Sequence, residues 1–253
     1  MTRETPAASM MSKVPAITLA FWVIKISATT LGETGGDALS MTLALGYAVS
    51  TLIFLAILIA ALAGQVSMNS YHPLMYWTVI VATTTAGTTL SDFLDRTVAL
   101  GYPLSSALLF AAVLLVLACW RLATGSVSVS RIATRTAELF YWTTIFFSNT
   151  LGTALGDFLS TSQGFGFDGS ALVFGAAIAL IAAAYLWTRL SHTLLFWAAF
   201  ILTRPLGASL GDLLTKPHAE GGFDLGRITS SLVLAVFIVI AILTTDSGAE
   251  RLE

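Results

Sequence analysis

Apolar stretches of about 20 residues, the length that crosses a bilayer as a helix, follow one another along the whole chain. Eight of them qualify, roughly 15–38, 43–64, 71–95, 102–122, 136–160, 168–187, 190–215 and 223–245. The connections are short and carry Gly, Pro, Asp and Ser, as turns do. Pro15, Pro73 and Pro103 stand near helix starts, where a missing N–H costs little. Pro205 falls inside the seventh stretch and is expected to kink or break it.

The polar punctuation repeats four times. Trp22, Trp77, Trp142 and Trp197 each open the same pattern. Ten residues later come Gly32, Gly87, Gly152 and Gly207; fourteen residues later Gly36, Ser91, Gly156 and Gly211; fifteen residues later Asp37, Asp92, Asp157 and Asp212. Gly46-Tyr47, Gly101-Tyr102, Gly166-Phe167 and Gly222-Phe223 then open the second helix of each copy. Copies begin 55, 65 and 55 residues apart, the extra ten falling in the polar stretch 124–135. Two helices per copy return the chain to the side it started from, so the copies are parallel repeats about an axis along the membrane normal. The predicted fold is an all-α integral membrane protein of eight transmembrane helices, built as four two-helix hairpins. Its single membrane domain covers 14–245, with repeats at about 15–64, 71–122, 136–187 and 190–245, and polar tails at 1–13 and 246–253.

Composition agrees. Of 253 residues, 56% are hydrophobic and 10% charged, with a mean hydropathy of +0.85, less than half the charge of an ordinary soluble domain. The formal net charge is −2 and no long basic run exists, which argues against a nucleic-acid partner. The single cysteine, Cys119, rules out an intrachain disulfide and a Cys-rich metal site. Residues 1–13 are polar and lack a small-residue cleavage site, so they are expected to form a cytoplasmic tail. Arg3, Lys13, Arg121, Arg131, Arg135, Arg189 and Arg251 lie on the N-terminal side, against Arg96, Lys216 and Arg227 opposite. This bias places both termini in the cytoplasm.

The repeated residues suggest chemistry. On a helical wheel the tenth and fourteenth positions lie roughly 40° apart, so Gly32, Gly87, Gly152 and Gly207 head small-residue stripes suited to close helix packing. The eighth and eleventh positions fall beside the Asp. They carry Thr30, Thr85, Thr150 and Pro205, and Glu33, Thr88, Thr153 and Ala208, with Asn149 next to this face. Each odd helix thus bears an oxygen-rich lane toward the outer side. An ionisable group in a span costs several kcal/mol and faces a cavity or a partner. Asp37, Asp92, Asp157 and Asp212, with Glu33 and Asn149, are therefore either interhelical anchors or ligands for a hard cation. His72, His192 and His218 lie near span ends, which disfavours a soft-metal cluster. Lys25 and Arg204 stand near the middle of their helices, either as counter-charges to the five acids or as groups that meet an anionic substrate.

The T-x-G-x-x-x-x-D segments, Thr30-Leu31-Gly32 to Asp37 and Thr150-Leu151-Gly152 to Asp157, resemble a family of uncharacterised bacterial multi-pass inner-membrane ("membrane-anchored") proteins. The resemblance covers nearly the whole chain and implies a bacterial inner-membrane location, without a substrate. From the residues, the expected function is a small transporter or channel for a hard cation, a divalent metal such as Mn²⁺ among the candidates, coupled to protons if coupled at all. The alternative is a non-transporting partner or assembly protein. An intramembrane acid–base enzyme fits less well, since H-E-x-x-H and G-x-S-x-G are missing and four equivalent Asp are odd for a dyad. The expectation is no enzyme and no cofactor, with partners limited to the bilayer, a small cation or proton, and a second copy of the chain in a homo-oligomer. The topology is testable by cysteine labelling on a Cys119-free background. A cysteine at Ser128 should label only from the cytoplasm and one at Gln163 only from the opposite side; the reverse pattern overturns the orientation.

Overall fold

In the computed structural model, which describes residues 13–68, 70–129, 132 and 134–249, the chain forms eight α-helices with no strand among those residues. They are α1 (Leu19–Asp37), α2 (Gly46–Ser67), α3 (Pro73–Asp92), α4 (Tyr102–Thr124), α5 (Arg135–Asp157), α6 (Gly166–Trp187), α7 (His192–Thr215) and α8 (Arg227–Ala249). The expected N-terminal tail lies almost wholly outside the described residues, as do Arg3, Arg131 and Arg251. The first four residues of the expected C-terminal tail continue α8.

The odd-numbered helices form a closed inner ring, each packed on two neighbours: α1 on α3, α3 on α5, α5 on α7 and α7 on α1. The even-numbered helices stand outside it. Each packs on the inner helix of the following repeat, α2 on α3, α4 on α5, α6 on α7, with α8 closing the circle on α1. Each repeat's outer helix is thus a clasp onto the next repeat.

Burial is inverted relative to a water-soluble bundle. Leu52, Ile59, Leu108, Leu115, Leu172, Leu180, Leu232 and Val236 of the outer helices are exposed, while Thr84, Thr88, Asn149, Thr153 and Arg204 of the inner ring are fully buried. Only a solvent as apolar as leucine accepts such an outer face, and polar groups must then find partners inside. Five helices, α2, α4, α6, α7 and α8, are long and apolar enough to cross a membrane. The others, α1, α3 and α5, hold the polar residues of the ring interior, which lowers their mean hydropathy.

Close approach in the ring rests on missing Cβ atoms. At the tenth position after each Trp, a Cβ would overlap a side chain or backbone from the next repeat: Gly32 meets Thr84, Gly87 meets Asn149 and Thr150, Gly152 meets Arg204 and Gly207 meets Thr29. The fourteenth position repeats the arrangement, Gly36 against Thr88, Gly156 against Ala208 and Gly211 against Glu33. At this separation hydroxyls reach across to backbone carbonyls, Thr84 Oγ1 to Ala28 O at 3.2 Å, Thr88 Oγ1 to Gly32 O at 3.1 Å and Thr29 Oγ1 to Thr203 O at 3.2 Å.

The helix through Pro205 runs without a break, with the proline ring laid against Gly152 and Gly156. Two local features differ from expectation. The stretch 124–135 is not simply polar loop, for it buries Val129 and Ile132 and its Val127 carbonyl accepts from Trp197 Nε1 at 2.9 Å. The last outer helix opens at Gly226-Arg227, not Gly222-Phe223. In the first three repeats a π-helical turn follows the Asp (Ala38–Thr42, Phe93–Thr97, Phe158–Ser162), and a left-handed residue, Ala44, Ala99 or Gly164, precedes the opening glycine by two. Asp224 has that left-handed φ in the fourth repeat, which makes Arg227 the counterpart of Tyr47, Tyr102 and Phe167. The added residues fold back on the end of α7, with Phe223 N donating to Leu213 O and Asp224 N to Lys216 O.

Gly152→Leu should abolish accumulation of folded protein, since even a Cβ there collides with Arg204 and with Pro205 Cδ, and overpacking costs about 1–3 kcal/mol or more. Gly175→Leu is the control, because a Cβ at Gly175 has nothing within 4 Å. Detergent-extracted yield and thermal midpoint should collapse in the first variant and stay near the parent in the second.

Candidate functional site

Every fourth residue of the inner helices points toward the axis of the ring, in steps close to one helical turn. The layer nearest the N-terminal ends of the inner helices is aromatic. Phe21, Tyr76, Tyr141 and Phe196 occupy the position before each Trp, and Tyr76 and Tyr141 share a hydrogen bond of 2.6 Å. At that end Lys13 donates to the buried Glu138 at 2.8 Å. Four residues on, Lys25 replaces the apolar Ile80, Ile145 and Phe200 of the other copies. Its ammonium lies 4.2 Å from the centroid of the Phe200 ring and 3.5 Å from Asn149 Oδ1. Asn149 in turn donates to Thr83 at 3.0 Å. Neither Lys25 nor Asn149 is therefore among the carboxylates, and no carboxylate lies within ion-pair distance of Lys25 among the described residues.

The next two layers interlock through Arg204. This residue stands where the other repeats have Thr29, Thr84 and Asn149, and the layer beyond it holds Glu33, Thr88, Thr153 and Ala208. Its Nη2 lies 3.0 Å from Glu33 Oε2 and 2.6 Å from Thr153 Oγ1, and it also bonds Thr88. One guanidinium thus touches the other three inner helices, which places it on the axis. Small Ala208 in its own repeat leaves the room. Breaking such a pair from one side strands the other charge, at a cost of about 3–5 kcal/mol. Nε and Nη1 of Arg204 have no hydrogen-bond partner among the described residues. The neighbouring hydroxyls of Thr30, Thr85 and Thr150 bond their own helices, to Ile26 O, Val81 O and Phe146 O.

The outermost layer holds Asp37, Asp92, Asp157 and Asp212, whose side chains are 3–4% exposed. Two cations divide them into pairs. Arg96 places Nε 3.0 Å from Asp92 Oδ1 and Nη2 3.0 Å from Asp157 Oδ2. Lys216 lies 3.0 Å from Asp37 Oδ2 and 3.1 Å from Asp212 Oδ1. Arg227 Nε adds a contact to Asp37 at 3.4 Å. Glu33, Asp37 and Asp212 each offer an oxygen within 4.8 Å of the others. These three carboxylates supply hard oxygen ligands of the kind Mg²⁺, Mn²⁺ or Ca²⁺ takes, with the Lys216 ammonium resting on two of them.

Charge compensation is accordingly fuller than Lys25 and Arg204 alone provide. Arg204 answers Glu33, while the Asp layer is answered by Arg96, Lys216 and Arg227, which the sequence reading counted only for topology. A signal was available. Arg96 and Lys216 stand nineteen residues after Trp77 and Trp197, one turn past their own Asp on the same face. The Arg227 contact had no such signal, since it depends on the fold-back of the segment before α8.

No curated protein and no solved structure is significantly similar to the chain. A family model described as a Repeat of Unknown Function (DUF347) matches four times, at 20–71, 75–126, 140–191 and 195–245. Each match takes in one inner and one outer helix, and the segment with the ten extra residues lies between the second and third. On four matches that together cover most of its length, the chain belongs to the DUF347 repeat family.

Proposed function

We propose that this protein is a bacterial inner-membrane transporter or channel for a hard cation, with all eight helices spanning and both termini cytoplasmic. The observation that carries the reading is the outermost axial layer, where four repeat-equivalent Asp carboxylates are buried together above Glu33. A lone structural Asp need not recur in every copy, so its four-fold repetition favours a shared carboxylate site around the axis. The donors are oxygens only, which suits a divalent metal such as Mn²⁺, an alkali ion or a proton. The axis is closed at the aromatic layer and at Arg204, so an ion held by the Asp layer advances only when the Glu33–Arg204 pair opens. Protons compete with metal for the same carboxylates, so cation uptake weakens as pH falls.

A second reading, a non-transporting assembly protein, has its own observation. Each Asp already has a cationic partner in the chain, and Glu33 has Arg204, so the polar interior closes on itself without a ligand. Asp157→Asn separates the two readings. It keeps the shape, and its partner Arg96 is a third exposed and retains Asp92, so the fold should survive. In proteoliposomes tested with Mn²⁺, Mg²⁺, Ca²⁺, Na⁺ and K⁺, with and without a proton gradient, flux should fall at least about tenfold, the scale for disturbing a metal site. If no ion moves through the parent and Asp157→Asn matches it in cation binding, the assembly reading replaces transport.

A further inference from the structure

The four-fold pattern of the Asp layer is broken one turn further out, in a regular way. The position nineteen after each Trp carries Met41, Arg96, Thr161 and Lys216. The second and fourth repeats supply a cation there, and the first and third do not. Each cation grips the Asp of its own repeat, four residues back, and then the Asp of the following repeat. Two of the four spaces between neighbouring Asp residues are therefore filled, Asp92/Asp157 by Arg96 and Asp212/Asp37 by Lys216. At the repeat-equivalent spaces, Asp37/Asp92 and Asp157/Asp212, the matching sequence positions hold Met41 and Thr161, neither of which brings a charge.

We infer that Arg96 and Lys216 are displaceable tethered cations, each occupying a place that the transported cation takes when the outer end opens. The inference rests on the cation-transport reading of the Asp layer. Three observations support it. Both side chains bind carboxylates as an incoming ion would, between two repeats, at 3.0–3.1 Å. Each Asp engages through a single oxygen, Oδ2 of Asp37, Oδ1 of Asp92, Oδ2 of Asp157 and Oδ1 of Asp212. The second oxygen takes no side-chain hydrogen bond among the described residues, and a hard cation uses such oxygens. Arg96 also has a second perch. It is a third exposed, donates to Tyr47 Oη at 3.4 Å and lies 5.8 Å from the centre of that ring. A guanidinium released from the carboxylates stays on the aromatic face. At the Asp212/Asp37 space Arg227, the fourth repeat's counterpart of Tyr102, stands on Asp37 itself, so the Lys216 pair keeps one positive charge when Lys216 leaves. The two filled spaces are thus unequal, the Arg96 space being the one that empties fully.

An internal cation lowers the apparent affinity for an external one by the fraction of time it holds the site. Removing it should therefore tighten binding, while a purely structural ion pair would leave binding unchanged. Mn²⁺ binding to purified full-length protein, read by electron paramagnetic resonance, and the Mn²⁺-dependent rise of the thermal midpoint provide two independent readouts. Arg96→Met should bind Mn²⁺ about tenfold more tightly than the parent, lose thermal stability without metal, and regain it with Mn²⁺ or with free guanidinium. Lys216→Met should show the same trend, more weakly. Thr161→Lys, at an exposed position, adds a cation beside Asp157 and Asp212 and should weaken Mn²⁺ binding by a similar factor without harming the fold. If Arg96→Met binds Mn²⁺ no more tightly than the parent and gains no stability from it, the inference fails, even where Asp157→Asn shows that the parent transports. If the parent moves no ion, the transport reading fails and the inference with it, even where Mn²⁺ and guanidinium restore Arg96→Met as cations that merely fill the vacated place. Absence of Mn²⁺ effects in every protein, parent included, overturns both.

Discussion

The architecture depends on how closely the four inner helices approach one another. A glycine ten residues after each Trp takes a side chain or backbone from the next repeat into the space of its absent Cβ. In a bilayer there is no hydrophobic gain from bringing helices together, so contact area, hydrogen bonds and backbone proximity must supply the association. The glycine stripe provides all three. It lets threonine hydroxyls bond carbonyls across the interface, and it brings opposite sides of the ring near enough for Arg204 to touch three other helices. With wider spacing, the interior would need water or lipid.

Closeness has an electrostatic consequence, because charges placed in so narrow a ring must be answered within it. Repetition alone would place four like charges in each layer, and the chain departs from repetition where that would be untenable. Glu33 occurs in one repeat and meets Arg204 from another, and the repeat that contributes the arginine has Ala208 in the facing layer. The four Asp are kept, yet Arg96 and Lys216 appear in alternate repeats, so each bridges two neighbours. The packing is four-fold while the charge pattern is nearer two-fold. The proposed passage of a cation uses that difference, since half of the inter-repeat spaces carry an internal cation and half do not.

Much of this was legible before any coordinates. Helix positions followed from apolar stretches of bilayer length, the repeat from Trp, Gly and Asp in fixed register, and the closely packed glycines from small residues four apart. These depend on local spacing, and helical periodicity carries local spacing faithfully. The start of the last outer helix was misplaced because Gly222-Phe223 imitates a motif that Gly226-Arg227 fills. Only the backbone, with Asp224 left-handed in place of Ala44, Ala99 or Gly164, identifies the true equivalent.

Partnership was decided by the tertiary structure. The sequence puts five acids and two mid-helix cations on long apolar segments, but a helical wheel assigns a direction and not a neighbour. Each outer helix clasps the following repeat, and the circle closes between α8 and α1. Asp37 therefore meets Lys216 across 179 residues of chain. Lys25 lies over the Phe200 ring and near an amide, with its ammonium away from the carboxylates. Pairing energies depend on distance and on exclusion from water, and both are set by which helices lie side by side. Residue types and their spacing thus determined what could face the axis, and ring closure determined which charges meet there.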